Sequence, residues 1–199
     1  MEMRGDWLWR SDDAVVVFVH GVLSSGDTCW QSDEGAYWPR LVVDDPLAAD
    51  VGVYVYTYRT GLLSGSYRLG DAVDDIKERM RLDGVLGCRT IVFVAHSMGG
   101  ILVRKLLVER ADDFKATNVG LFLVASPSLG SDYANILEPL ARLVGHTQAD
   151  TLRFSQTNSS LMDLDTQFKN LRSSDRLALS GKELAEDVFI KLTGRELRE

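Results

Sequence analysis

The segment FVAHSMGGILVRKLL, residues Phe93–Leu107, decides the fold of this chain. It begins with a short apolar run that is typical of a buried strand and continues with apolar residues at helical spacing. Two glycines follow Ser97 and Met98 at the junction. The pattern predicts a strand that turns sharply into a helix, with Ser97 at the apex of the turn.

A serine at such an apex has a chemical meaning. Its hydroxyl is a poor nucleophile at neutral pH, so a hydrolase must expose it, remove its proton and stabilise the resulting oxyanion. A sharp turn exposes the hydroxyl, and small residues two positions before and after the serine let the strand and helix approach each other. Gly99 meets this need. Ala95 stands where the GxSxG pattern has glycine, and it adds only one methyl group.

Composition narrows the range of functions. A chain of 199 residues that is 45% hydrophobic predicts one domain, residues 1–199. A net charge of −7 disfavours nucleic acid or an anionic membrane as partner, and no segment has the pattern of a signal peptide or a transmembrane helix. Cys29 and Cys88 lack metal-ligand spacing, so we predict free thiols, a reducing, cytoplasmic location and no metal or other cofactor.

Strand-length apolar runs alternate with helical segments along the chain, which is typical of a parallel sheet covered by helices on both faces. The pattern therefore predicts a three-layer α/β fold with a mostly parallel sheet. Strands are predicted at Ala14–His20, Val51–Tyr58, Thr90–Ala95, Asn118–Ala125 and Arg176–Ser180, and helices at 69–80, Gly99–Arg110, Ile136–Val144 and Ser159–Leu171. On the helix after Ser97, the charged residues, Arg104 among them, are expected to face solvent. The polar stretch 145–160 is expected to be a mobile cap or loop.

A second motif, FVHGVLSSGDTCW at Phe18–Trp30, follows the first predicted buried strand. Together, AHSMGG and this HG loop resemble the α/β-hydrolase superfamily, and the small Bacillus lipases are similar in using alanine at the first elbow position. In that superfamily two backbone N–H groups form the oxyanion hole. The resemblance implies that Val22 and Met98 supply them, and that His20 shapes the loop instead of transferring protons.

Further segments resemble a narrower group. GDTCW with YWPRLVVDD, FLVASPSLGSDYAN and TLRFSQTNSSLMDLDTQF are similar to segments of intracellular serine esterases related to the GPI inositol deacylases and to the serine-active-site-containing mitochondrial proteins. Two positions depart from that group, because Ser128 replaces a histidine and Asp165 replaces an asparagine. Neither position is expected to do the chemistry, so the departures concern substrate preference.

The catalytic acid is expected after the last predicted strand, because the superfamily order is nucleophile, acid and histidine. The resemblance implies Glu183 in this role. Glu186 and Asp187 are nearby alternatives, and a solvated acidic turn with no catalytic role is a further interpretation.

The catalytic histidine is harder to place, because the chain has three histidines. His96 adjoins the nucleophile and should point away from it, and His20 belongs to the oxyanion loop. His146 follows Ser97 and could form a triad with Asp132, although an exposed loop histidine without a catalytic role is the commoner case.

If Glu183 is the acid, the histidine should come after a further strand, and none follows it in this chain. We therefore expect a C-terminally truncated hydrolase domain, fused to or associated with further C-terminal sequence. The expected activity is lipase-like or esterase-like hydrolysis of a small-molecule or lipid ester or thioester. Two alternatives stay open: a non-catalytic recognition or signalling domain of a larger protein, and an acyltransferase that also uses Ser97.

Overall fold

The strand that leads to Ser97 lies in a mostly parallel sheet. The computed structural model describes residues 4–21, 28–58, 69–126 and 148–184, with side chains of the last helix described from residue 161. Within these residues the strands are β1 Arg4–Trp9, β2 Ala14–Val19, β3 Val51–Thr57, β4 Thr90–His96, β5 Asn118–Val124 and β6 Ala178–Leu184. Their order is β1-β3-β2-β4-β5-β6, with β1 antiparallel to β3 and the other neighbours parallel.

Helices cover both faces of this sheet. They are α1 Trp38–Asp44, α2 Leu69–Leu82, α3 Met98–Glu109 and α4 Gln148–Ser173. The larger core cluster joins one sheet face to residues of α2, α3 and α4, and a smaller aromatic cluster lies on the other face with α1. The predicted three-layer α/β architecture with a mostly parallel sheet is therefore confirmed.

Strand β3 shows how the alternation of side chains divides the core. Tyr54 and Tyr56 on β3, and Tyr58 just after it, are fully buried in the larger cluster, whereas Val53 and Val55 belong to the smaller one. Successive strand residues point to opposite faces, so an uninterrupted apolar run is needed where both faces are covered. The tyrosines of this segment therefore pack on one face of the sheet and the valines on the other.

Most strand predictions agree with the structure within two residues, but the chain ends of the sheet differ. β6 begins later than the predicted Arg176–Ser180 and continues to Leu184. β1 was not predicted, because RGDWLW mixes polar and apolar residues and pairs through an irregular register at Trp7 and Trp9. An antiparallel edge strand needs only one apolar face, so its sequence signal is weak.

The long helix α4 corrects one prediction. Residues from Gln148 are helical, where the sequence indicated a cap or loop over 145–160. Leu161 and Leu164 pack on Ile101 of α3, and a helix anchored in this way extends at little cost per residue beyond the packed part. The predicted helix Ile136–Val144 lies outside the described residues.

Two further findings concern the whole described part of the chain. Cys29 and Cys88 are not joined to each other in a disulfide, as the sequence predicts. Among the described residues, no helix is both long enough and apolar enough to cross a bilayer.

Candidate active site

Ser97 sits at the turn between β4 and α3 in a strained backbone conformation. Its φ is 52° and its ψ is −123°, values that non-glycine residues rarely adopt. Such a conformation costs about 1–3 kcal/mol and persists only where the surroundings impose it. Here the Ser97 N–H donates to the Val124 carbonyl at 2.9 Å, and the Ser97 carbonyl accepts from the Gly100 N–H at 3.0 Å. The side chain is half-buried, so the turn presents a hydroxyl at the carboxyl end of the sheet.

Small residues make this turn sterically feasible. A Cβ at Gly99 would lie 2.4 Å from the Val19 carbonyl oxygen, and a Cβ at Gly21 would lie 2.8 Å from the Ser97 Cβ. Both distances are below any normal contact of a Cβ atom. Ala95, in contrast, is fully buried in the larger core cluster. The methyl group at this position is therefore accommodated, whereas one at Gly99 would not be.

The first turn of α3 faces the end of β2. Met98 is the first helical residue, and the first N–H groups of a helix have no intrahelical acceptor. The helix dipole also favours negative charge at this end. Gly21, next to the predicted Val22 donor, lies close to Ser97, so the segment after β2 begins beside the predicted nucleophile. Val22 itself lies outside the described residues.

His20 is built into the wall of the site. It is fully buried, its Nδ1 lies 2.7 Å from the Gly21 carbonyl oxygen, and its Nε2 accepts from the Tyr58 N–H at 3.2 Å. These partners require the tautomer with the proton on Nδ1. The Tyr58 hydroxyl donates to the His20 carbonyl at 2.9 Å, and the two rings stack. With both ring nitrogens engaged, His20 joins the end of β2 and Gly21 to Tyr58, the residue after β3.

His96 faces the layer that contains α1. Its Nδ1 lies 3.4 Å from the Cys29 Sγ, and its ring packs edge-on against Trp30. The pleat of β4 places His96 on the face opposite Ala95. These contacts hold the residue before Ser97 against the segment that follows the oxyanion loop.

Glu183 is in β6, two strands away from β4. Strand register aligns Glu183 with Leu123 and Leu123 with Ala95, so Glu183 stands two positions before the level of Ser97. Residues aligned in this way share a sheet face, and Ala95 and Leu123 belong to the core beneath α3. Glu183 is exposed.

The charge of Glu183 acts on a buried ion pair between α3 and α4. Arg104 Nη1 donates to Asp165 Oδ1 at 2.8 Å, and the side chains are 2% and 5% exposed. Burial raises the pKa of Asp165, an effect that Arg104 opposes and Glu183 reinforces. The prediction that Arg104 faces solvent is wrong. Helix α3 is apolar on nearly every side, so this position is covered by α4.

Several candidate residues lie outside the described part of the chain. These are Val22, Ser128, Asp132, His146, Glu186 and Asp187. Among the described residues, no cluster of three or more His, Cys, Asp or Glu side chains could hold a metal ion. Among the described candidates, Ser97 and Met98 adjoin at the turn between β4 and α3, and Glu183 lies in β6, two strands away from β4.

The turn at Ser97, the glycines around it and the strand order agree with a family comparison. A model described as "Alpha/beta hydrolase family" matches residues 16–190, which is most of the chain. The chain belongs to the alpha/beta hydrolase family. Within this family, it is similar to the mature lipase BlEst2 of Bacillus licheniformis, with a TM-score of 0.52 and 15% identity, covering 92% of this chain and 70% of the lipase. This structural likeness supports the fold.

The curated relatives that match this chain in sequence are much longer than it is. Protein SERAC1 of Homo sapiens is 27% identical over 151 residues, which is 61% of this chain and 22% of that protein. Protein SERAC1 of Danio rerio is 24% identical over 187 residues, 79% of this chain and 28% of that protein. The chain thus spans only about a quarter of these relatives.

The sequence analysis missed the roles of three residues in this hydrolase fold. Tyr58 is fully buried against His20, Cys29 contacts His96, and Arg104 is buried against Asp165. For Arg104 a signal was available, because apolar residues occupy both sides of its helix and a buried arginine needs an anionic partner. Asp165, a carboxylate on the following helix, was that partner.

Proposed function

We propose that this chain is the catalytic core of a serine hydrolase that cleaves an ester or thioester, in the manner of lipases and esterases. The observation that carries the proposal is the strained conformation of Ser97 at the junction of β4 and α3, beside Gly21. Strain of this kind is retained where it serves a site, because folding alone would favour a relaxed turn. A hydrolase fold without that feature would support no particular chemistry.

In the proposed reaction, the Ser97 Oγ attacks the carbonyl carbon while its proton passes to a histidine. The carbonyl oxygen becomes an oxyanion held by the N–H groups of Met98 and Val22, and each such donor is worth roughly a hundredfold to a thousandfold in rate. The intermediate then expels an alkoxide or thiolate, which takes the proton from the histidine. Water hydrolyses the acyl-serine by the same steps.

The acid and the base are the incomplete part of the proposal. We retain Glu183 as the acid on the basis of the resemblance, although it aligns with Ala95 and not with Ser97. Two sources for the histidine remain in the proposal: His146, and sequence that would follow residue 199 in a longer protein. We assign the reaction to the cytoplasm, because two free thiols suit a reducing compartment.

The substrate in this proposal is an uncharged ester of a small molecule or a lipid. The net charge of −7 disfavours polyanionic substrates, and BlEst2 is itself a lipase. An acyltransferase would share every step up to the acyl-serine and would differ only in the final acceptor.

Labelling with an alkyl fluorophosphonate tests the proposal. The reagent forms a bond from the Ser97 Oγ to phosphorus and releases fluoride, so intact mass shows one added phosphonate. Ser97→Ala should abolish labelling, while Ser32→Ala, which removes an exposed serine hydroxyl, should leave it unchanged. Peptide mapping should place the label between residues 93 and 107.

The same assay separates the sources of the base. Labelling only in a longer form of the protein would place the histidine beyond residue 199, and labelling of this chain that is lost in His146→Ala would identify His146. If neither form reacts, the hydrolase proposal fails. A non-catalytic recognition domain would then be favoured. His20 could not serve as the base in place of the missing histidine, since both of its ring nitrogens are already hydrogen-bonded within the fold.

A further inference from the structure

The ion pair between Arg104 and Asp165 is not explained by stability. Taking both charges out of water costs several kcal/mol per ion, and replacing such a pair by apolar residues of similar volume is often neutral or stabilising. Burial raises the pKa of Asp165 and lowers that of Arg104, which reflects this cost. In the neighbouring ion pair on α3, the Lys105 and Glu109 side chains are 27% and 36% exposed, so this pair avoids the cost of full burial.

The buried pair reaches the first turn of α3 directly. Besides its bond to Asp165, the Arg104 guanidinium donates from Nε to the Gly100 carbonyl at 3.3 Å. Gly100 lies three residues after Ser97 and two after Met98, so the contact falls on the backbone that carries the proposed oxyanion donor. A bond from Arg104 to this carbonyl therefore joins the first turn of α3 to Asp165 on α4.

Apolar contacts join α4 to the same turn. Met98 packs on the small core cluster formed by Ile101 of α3 with Leu161 and Leu164 of α4. Leu164 immediately precedes Asp165, so the polar and apolar contacts come from one turn of α4. The Met98 side chain and the Gly100 carbonyl are thus both held from the α4 side.

Backbone and core contacts fix the opposite sides of the turn. A Cβ at Gly99 would lie 2.4 Å from the Val19 carbonyl oxygen, and one at Gly100 would lie 2.1 Å from the Ser126 Oγ. These contacts prevent the turn from moving toward β2 or β5. On the side facing α4, the contacts that the described residues make with the turn come from side chains, of which Arg104 has the most directional ones.

We propose that Arg104 and Asp165 are positioning residues that hold the first turn of α3, and with it the Met98 N–H, against α4. The consequence for catalysis rests on the proposed hydrolase function. The structural part of the inference does not rest on that function, since it concerns only the mobility of the turn.

The test compares the wild-type chain with the double variant Arg104→Met/Asp165→Leu, which replaces the charges by apolar side chains of similar size. The control is Lys105→Met/Glu109→Leu, which removes the exposed pair on the same helix. Hydrogen exchange followed by mass spectrometry is read in a peptide covering residues 97–103 and in one covering β4. We expect the first-turn amides to exchange at least tenfold faster in the buried-pair variant, with β4 unchanged and the control matching the wild type.

Fluorophosphonate kinetics give the functional readout. A shift of the oxyanion donor should lower the maximal rate of inactivation roughly tenfold to a hundredfold. The concentration for half-maximal rate should not change, because the reagent's binding surface is kept. A merely structural pair would alter neither parameter in a variant that unfolds at the same urea concentration as the wild type.

The outcomes are distinguishable. Wild-type exchange in the first turn of the double variant would overturn the inference, whatever the labelling shows. If neither the wild-type chain nor a longer form of the protein is labelled at Ser97, the hydrolase proposal fails and exchange still decides the positioning role. If the double variant does not fold, Arg104→Lys replaces it, because a single ammonium cannot span both acceptors as the guanidinium fork does. It should show the same faster exchange, and exchange like the wild type would again overturn the inference.

Discussion

The substitution Gly99→Ala tests whether the turn at Ser97 needs glycine at this position in order to approach β2 closely. The added methyl group would lie 2.4 Å from the Val19 carbonyl oxygen and 2.6 Å from the His20 carbonyl oxygen. Both atoms belong to the backbone of β2 and its following loop, so no side chain can rotate away. Helix α3 would have to move as a unit, and it carries Ser97 with it.

The size of the effect follows from two opposed contributions. Overpacking of a close-packed interior costs about 1–3 kcal/mol. Alanine in place of glycine at an open helical position instead gains up to about 1 kcal/mol. Gly70 in α2 is such an open position, because a Cβ there meets no atom within 4 Å. Gly99 is also a helical residue, so this gain is common to both variants, and their unfolding free energies should differ by the overpacking cost of about 1–3 kcal/mol.

Urea unfolding of the wild type, Gly99→Ala and Gly70→Ala measures this difference. We expect Gly99→Ala to unfold at lower urea and Gly70→Ala at equal or higher urea, with equal slopes. In thermal unfolding, the midpoints should differ by more than about 2 °C for a chain of this length. If Gly99→Ala were as stable as Gly70→Ala, the argument that the elbow needs glycine at this position would be refuted.

Three further predictions concern the surroundings of the site. Tyr58→Phe removes a buried hydroxyl that donates to a carbonyl beside the oxyanion loop, and should lower the urea-unfolding free energy by about 1–2 kcal/mol; an unchanged value would contradict the role of this bond. A hydrogen bond from Arg89 holds the pKa of the Asp13 carboxyl below its ordinary 3.8. The stabilisation that this bond gives the fold is therefore fully present above pH 3.8 and declines as the pH falls through the lowered pKa. Asp13→Asn should therefore make the unfolding free energy fall less steeply below pH 3.8. An unchanged pH dependence in that range would exclude this contribution of Asp13. Iodoacetamide should alkylate Cys29 before Cys88, because Cys88 is 3% exposed and burial raises the pKa of its thiol; peptide mass mapping showing Cys88 first would contradict this order.

The turn at Ser97 could be predicted because it depends on residues within one short segment. A strand, a serine and two glycines within one short segment admit few backbone paths, and the observed φ of Ser97 is the one such a turn requires. The mostly parallel sheet followed from the alternation of apolar runs with helical segments. Sequence patterns of this kind report local geometry and burial, which are set by neighbouring residues.

Contacts between distant segments could not be predicted in the same way. Helical spacing placed Arg104 among surface charges, and only the packing of α4 on α3 shows that it is buried. The sequence likewise indicated a loop over 145–160, whereas α4 begins at Gln148. A polar helix has little periodic signal of its own, and its position depends on the surface that it contacts.

By itself, the sequence determined the fold class, the nucleophile candidate and the turn that presents it, because these depend on spacing within single segments. The tertiary structure decided which distant residues share the site. It placed His20 in the wall through Tyr58, set Glu183 level with Ala95 and joined Arg104 to Asp165. Strand register and helix packing bring together residues far apart in the chain, and neither can be calculated from the spacing of either segment alone.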